Sequence, residues 1–208
     1  EFMLIANRTV AESVGKRSGS RAAKKTFVYR IHEQPDAEKM ETFATFVRRF
    51  GYKLKTDGSK NEITRSINRL LDDAKGRPEE NLIETLAVRS MQKARYSTEN
   101  IGHYGLAFAY YSHFTSPIRR YPDLLVHRLL RETFATGHID PEKRERLRAM
   151  LPDAAEHSSA RERIAIEAER ETTDMKKIEY MAQFVGETYE GVISGVTAFG
   201  IFVELDNG

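Results

Sequence analysis

Apolar residues recur along most of this 208-residue chain at the three-to-four spacing of helices, and they alternate in only a few short stretches. Met40, Phe43, Phe46, Val47 and Phe50 fall on one helical face, which predicts an amphipathic helix over residues 36–50 with Gly51 as its stop. Residues 63–74 and 79–92 repeat that pattern on either side of Gly76-Arg77-Pro78. A helix is also expected over residues 1–16, a short charged one over 141–150, and a long one over 154–184. In the last of these Ile164, Ala168, Met175, Ile178 and Ala182 form a stripe expected to face inward. Alternation predicts strands at residues 26–31, 94–96, 187–194 and 198–205, the last two joined by a Gly195-Val196-Thr197 turn. Residues 53–60 and 97–102 read as polar loops. The fold class that follows is α+β, mostly helical. A two-stranded hairpin at the C-terminal end cannot bury an apolar face by itself.

Composition narrows the class of protein without naming a partner. Charged residues make up 31% of the chain, and no apolar run is long enough to span a bilayer. The opening segment lacks the apolar stretch and cleavage site of a signal peptide. No cysteine is present, so disulfides and thiolate metal sites are excluded, and a cytoplasmic setting is expected. A formal net charge of +2 is too mild to point to nucleic acid, and the distribution of charge says more. Residues 115–131 carry Arg119, Arg120, Arg128 and Arg131 against Asp123 alone. Every charge in residues 16–25 is positive, but small residues dominate there and a surface linker is expected.

Residues 113–128, His-Phe-Thr-Ser-Pro-Ile-Arg-Arg-Tyr-Pro-Asp-Leu-Leu-Val-His-Arg, hold the most chemistry per residue. Ser116 suits an N-cap and Pro117 a first helical position, which would leave the amides of Ile118 and Arg119 facing an anion. The guanidinium groups of Arg119 and Arg120 match phosphate oxygens. Pro122 would disturb a helix already running from Pro117, so a short turn, then a kink, then a regular helix through Leu130 is expected. From the residues alone, an ordinary exposed helix cap explains the string equally well. His103 likewise reads as a hydrogen-bonded structural histidine or as a group beside a substrate. Asp72 and Asp73 are adjacent on a helix, point to different faces and are expected to be solvated surface. Glu169 sits among alternating charges of the kind usually found in solvent.

The 113–128 string closely resembles the signature of the ribonuclease II and ribonuclease R family, exoribonucleases that hydrolyse RNA from its 3′ end. The opening Glu-Phe-Met-Leu-Ile-Ala-Asn resembles the family's Glu-x-Met-x-x-Ala-Asn helix. Residues 27–36, with Arg30, His32 and Pro35, are similar to its Phe-Arg-Ile-His-Asp-x-Pro segment, and Gly-His-Tyr-Gly-Leu-Ala at 102–107 to the stretch before the signature. Ala168-Glu169-Arg170-Glu171 resembles its Ala-Glu-Arg-Asp. Residues 186–208 resemble the first strands of the S-one RNA-binding module, an OB-fold barrel.

The resemblance implies that residues 1–185 are the C-terminal part of an RNB catalytic domain and residues 186–208 the start of an OB-fold domain. It implies Arg119 and Glu169 as catalytic contacts, to the scissile phosphate and the 3′-terminal nucleotide. Glu1, His103, Tyr104, Ser116, Pro117, Arg120 and Tyr121 are implied on the RNA side, and Tyr189, Phe199 and Phe202 as rings for stacking bases. The family's magnesium is held by aspartates upstream of the segment matched here, so no metal ligand is expected in this chain. The expected partners are single-stranded RNA, structured RNA among the candidates, and the missing N-terminal half of the catalytic domain. The chain alone is then expected to be inactive. A non-catalytic RNA-binding remnant and a helical protein-interaction scaffold are the competing readings.

Overall fold

In a computed structural model of the chain, residues 1–17, 26–136 and 139–205 are described, and most of the basic stretch expected to be a linker lies outside them. The architecture is mostly helical with a few short strands. Helix α1 spans Phe2–Arg17 and is followed by strand β1, Tyr29–Ile31. Three helices come next: α2 (Ala37–Arg48), α3 (Lys60–Ala74) and α4 (Glu80–Ser90). Strand β2, Arg95–Ser97, pairs antiparallel with β1 in the register Tyr29↔Ser97, Arg30↔Tyr96, Ile31↔Arg95. Helices α5 (Tyr121–Thr136) and α6 (Pro141–Met181) precede a hairpin of β3 (Gly191–Thr197) and β4 (Gly200–Leu205).

Local chemistry accounts for most of the helix boundaries. The Asp36 side chain accepts from the amides of Glu38 and Lys39 and opens α2. Helix α3 begins three residues earlier than its apolar period indicates, because Ser59 and Glu62 form a reciprocal capping box inside the polar stretch.

Two apolar cores result. The three helices α2 to α4 close on Phe43, Val47, Leu70, Ile83 and Ala87. The larger core lies under the β1–β2 pair, where Phe27, Val28, Tyr29 and Ile31 meet Leu125, Val126 and Leu129 of α5 and Leu151 and Ala155 of α6. Helix α1 reaches this core through Ala11, and it runs so close to Tyr110 that a Cβ on Gly15 would lie 2.3 Å from the ring.

Three expectations need correction. The helices expected at 141–150 and 154–184 are one helix, α6, which continues through Pro152. Leu151 and Ala155, both buried, and Ser159 anchor it on either side of the proline, so packing outweighs the lost backbone bond. Beyond Ser159 the face expected to point inward is exposed: Ile164, Met175 and Ile178 are 53%, 64% and 71% accessible. Periodicity marks an apolar stripe but does not say what covers it. Finally, the hairpin reverses at Ala198-Phe199, and Gly195 lies inside β3. The register skips Ser194, so the glycine belongs to a β-bulge rather than to the turn. Among the described residues no helix is long and apolar enough to cross a membrane.

Candidate nucleic-acid interface

Residues 111–120 lead from the main core to α5 as a loop whose regular feature is one turn, with the amides of Arg119 and Arg120 both donating to the Ser116 carbonyl (3.3 and 3.1 Å). Helix α5 starts at Tyr121, so Pro122 falls in its first turn, where a missing N–H is harmless. The short turn expected ahead of a regular helix is present, but it stands apart from α5 rather than forming its kinked start, and α5 runs past Leu130 to Thr136. A helix continuous from Pro117 would drive the Pro122 ring against the Ile118 carbonyl four residues back, and starting at Tyr121 avoids that clash. Ser116 therefore caps no helix, and the Arg119 amide, expected to face an anion, is spent inside the turn.

Side chains from two helices hold the loop in shape. Asn7 of α1, only 4% exposed, accepts through Oδ1 from the amides of Phe114 (2.9 Å) and Thr115 (3.2 Å). Its Nδ2 donates to the Tyr111 hydroxyl (3.2 Å). Asp123 of α5, fully buried, accepts through Oδ1 from the Ser116 amide (2.8 Å) and from Arg120 Nη2 (2.9 Å). The His127 ring stacks on Phe114 at 4.2 Å, and its Nε2 donates to the Phe114 carbonyl. Three successive amides, 114 to 116, thus point inward onto side-chain oxygens.

What remains facing out is compact. Ile118 is fully exposed, Tyr121 is 48% exposed, and Arg119 is exposed with no side-chain hydrogen bond or ion pair among the described residues. Arg120 turns inward to Asp123, and Arg30, next in the interior, pairs with Glu162 of α6 at 2.6 Å while lying over the Tyr96 ring. Among the described residues gathered at this loop, Arg30 and Arg120 are paired with carboxylates and Arg119 is not, which leaves its fork of donors turned to solvent in a geometry that suits an oxyanion.

Beneath the loop runs a chain of rings, His32, His103, Tyr111, His113 and Tyr96, with neighbouring centroids 5.0 to 5.7 Å apart. Burial, with help from His32 and Arg30, pushes His103 down to about 4. Burial together with Arg120 and Arg30 pushes His113 down to about 3, and its Nδ1 lies 2.8 Å from the Tyr96 hydroxyl. Both rings are neutral at pH 7 and add no positive charge to the site. Gly102, at φ +81°, turns the chain so that His103 can pair with Phe108, and a Cβ there would meet the Phe108 carbonyl at 3.0 Å.

The remaining expected residues are more dispersed. Tyr104 is buried, its hydroxyl 3.0 Å from Thr64 Oγ1. Glu1 is exposed at the start of α1, six residues before Asn7. Glu169 is exposed on α6, seven residues beyond Glu162 and so two turns along the same face, roughly 10 Å from it. Tyr189 is partly exposed and donates to Glu187. Phe199 and Phe202 meet edge to face at 6.1 Å on the exposed hairpin. Phe202 also lines an open groove of about 640 Å³ with Lys177 and Tyr180 of α6. The residues that sequence reasoning missed are Asn7, Asp123 and Glu162. Asp123 did leave a trace, as the lone acid among four arginines and three residues after Arg120.

Among the described residues, no three or more His, Asp and Glu side chains gather where a divalent cation could sit, and Asp72 and Asp73 are exposed near the end of α3. The residues present therefore do not fit a magnesium ion, and no step here is assigned to one.

Comparison with known proteins gives these features a context. The RNB domain matches residues 1–136. Ribonuclease R 1 of Lactococcus lactis is 48% identical over 207 residues, covering 99% of this chain and 24% of the relative. The chain thus spans about a quarter of that protein's length. Two structures of Mycoplasma genitalium RNase R align over 99% of the chain. The complex with ribose methylated single-stranded RNA has a TM-score of 0.86 at 30% identity and is covered to 31%. The complex with double-stranded RNA has a TM-score of 0.84 at 29% identity and is covered to 35%.

Proposed function

The chain belongs to the RNB domain family that includes ribonuclease R, and from that premise we propose that it supplies phosphate and 3′-terminal-nucleotide contacts of a 3′-to-5′ exoribonuclease. The observation that carries the proposal is the loop at residues 111–120, which presents Arg119 to solvent without a counter-charge while neutralising the arginine beside it. Arg119 would grip the scissile phosphate. Hydrolysis builds negative charge on the non-bridging oxygens, and a guanidinium held ready in place lowers the barrier without covalent chemistry. Ser116, Pro117 and Tyr121 would shape and flank that contact, with Arg120 as its internal brace. His103 and Tyr104 would support the loop's approach through neutral, largely enclosed rings. Glu169, exposed on α6, and Glu1, just ahead of α1, would hold the terminal nucleotide.

In this reading residues 1–185 form the C-terminal part of the RNB catalytic domain, and 186–208 begin an OB-fold module whose Tyr189, Phe199 and Phe202 stack bases. Magnesium would be held by residues in the part of the longer relatives that this chain does not span. The whole enzyme would release nucleoside 5′-monophosphates processively. Phosphate and stacking contacts predict little sequence preference and a strong dependence on salt.

The test is to incubate 5′-labelled single-stranded RNA with the purified chain and magnesium, beside a chelated control, and to follow binding and length together. Salt-sensitive binding without shortening is the expected result. Metal-dependent shortening would overturn the placing of the metal ligands elsewhere, and absence of binding would favour a helical scaffold.

A further inference from the structure

We propose that Asn7 is a positioning residue for the phosphate-binding loop, a role that rests on the reading of Arg119 given above. One buried carboxamide makes three bonds to the loop: Oδ1 takes the Phe114 and Thr115 amides, and Nδ2 holds the Tyr111 hydroxyl 104 residues along the chain. These bonds engage both ends of the amide, and they fall on the residues that set the direction of entry to the Ser116 turn. A shorter side chain leaves two enclosed amide donors without an acceptor, and a longer one displaces the loop.

The position of Asn7 adds a second consequence. Glu1 immediately precedes the same helix, six residues before Asn7 and roughly 9 Å away along the helix axis. The Asn7 bonds thereby fix the separation between the α1 start and the loop that carries Arg119. Asn7 touches no RNA in this scheme; it sets where the phosphate contact stands relative to the nucleotide contact.

The experiment is a thermodynamic cycle on the 208-residue chain, with affinity for a short single-stranded RNA followed by fluorescence anisotropy across a salt series. Asn7→Ala is expected to weaken binding about tenfold and to lower the salt slope by about the 0.7 that one lost phosphate contact removes. Asn7→Asp keeps an acceptor for both amides, and the Tyr111 hydroxyl can turn to donate to it, so this variant should stay within about threefold of the parent. In an Arg119→Gln background, Asn7→Ala should have almost no further effect. An equal loss in both backgrounds, or no loss in either, overturns the proposal, because a merely structural role would act independently of Arg119. Should Asn7→Ala lose its circular-dichroism spectrum, Asn7→Ser carries the same comparison.

If the parent chain binds no RNA, the reading of Arg119 fails, and amide exchange then decides on Asn7 separately. Asn7→Ala should lose protection at Arg119 and Arg120, which Asn7 does not touch, while α4 is unchanged. Protection retained at those two amides overturns the positioning role.

Discussion

Replacing Arg120 by glutamine should destabilise the protein far more than the same change at Arg119, although the two residues are neighbours and both are charged. Asp123 is completely buried, and its Oδ1 is shared between the Ser116 amide and Arg120 Nη2. Asp123 Oδ2 and Arg120 Nε are both buried without a protein partner, so the carboxylate has little reserve once the guanidinium is gone. Removing one member of a buried pair costs about 3 to 5 kcal/mol, and the 19% exposure of the Arg120 side chain places the loss near the lower end, about 3 kcal/mol. At about 2 to 4 °C per kcal/mol for a chain of this size, Arg120→Gln should melt roughly 6 to 12 °C below the parent. Arg119→Gln should melt with the parent, since nothing in the fold leans on that side chain. Adding Asp123→Asn to Arg120→Gln should restore part of the loss, because the stranded charge is what costs most. Calorimetry or urea unfolding of the four proteins checks this. An Arg120→Gln variant that melts within a degree or two of the parent would refute the idea that Asp123 depends on Arg120.

Arg119→Gln should weaken binding of single-stranded RNA and reduce the slope of log K against log salt by about 0.7, the signature of one lost phosphate contact, measured by anisotropy titration. The neutral histidines make stability sensitive to acid. His103 and His113 have pKa values of about 4 and about 3 in the folded chain, below the usual value near 6.5, so the unfolded chain takes up protons first as pH falls. Stability should be fully present above about pH 6.5 and decline toward pH 4, and His113→Asn should flatten that decline in urea midpoints taken at pH 7 and pH 5. Gly102→Ala should cost about 1 to 2 kcal/mol in urea unfolding, since residue 102 sits at φ +81° and the new methyl would press on the Phe108 carbonyl.

Those parts of the fold that depend on near neighbours were legible before the structure. Met40, Phe43 and Val47 of the expected stripe are buried, while Phe50 lies past the end of α2 and is 43% exposed, and the Ser59–Glu62 box, local as it is, sits in a polar stretch whose apolar spacing hid the start of α3. Errors arise where a local signal competes with distant packing. Pro152 looked like a helix end, but Leu151 and Ala155 on either side are held by the core, and Ser159 accepts from the Tyr96 amide of β2 at 2.9 Å. Gly195 looked like a turn, yet a glycine serves a bulge equally well, and only the pairing of Ile193 with Val203 and Gly195 with Phe202 separates the two. At the loop, the arginines were visible as charge, but their partners were not. The links Asn7–Thr115 and Arg30–Glu162 join residues more than 100 positions apart, and no periodicity encodes them.

The two adjacent arginines show why composition said so little about the site. A pair of guanidinium groups side by side brings two like charges together, and their repulsion opposes turning both toward one ligand. Asp123 breaks that symmetry. Three residues beyond Arg120 and one turn into α5, it lies on the face that Arg120 can reach, and it takes the Ser116 amide with the same oxygen. Arg120 is thereby converted from a ligand-facing charge into a brace on Asp123, the residue that ties the Ser116 amide to the start of α5. Arg119, denied the same partner by one step along the chain, projects from a turn in which its own amide and that of Arg120 are bonded to the Ser116 carbonyl. The site's charge after internal pairing is one guanidinium at a defined place, and that local quantity, not the net +2 of the chain, is what a phosphate would meet.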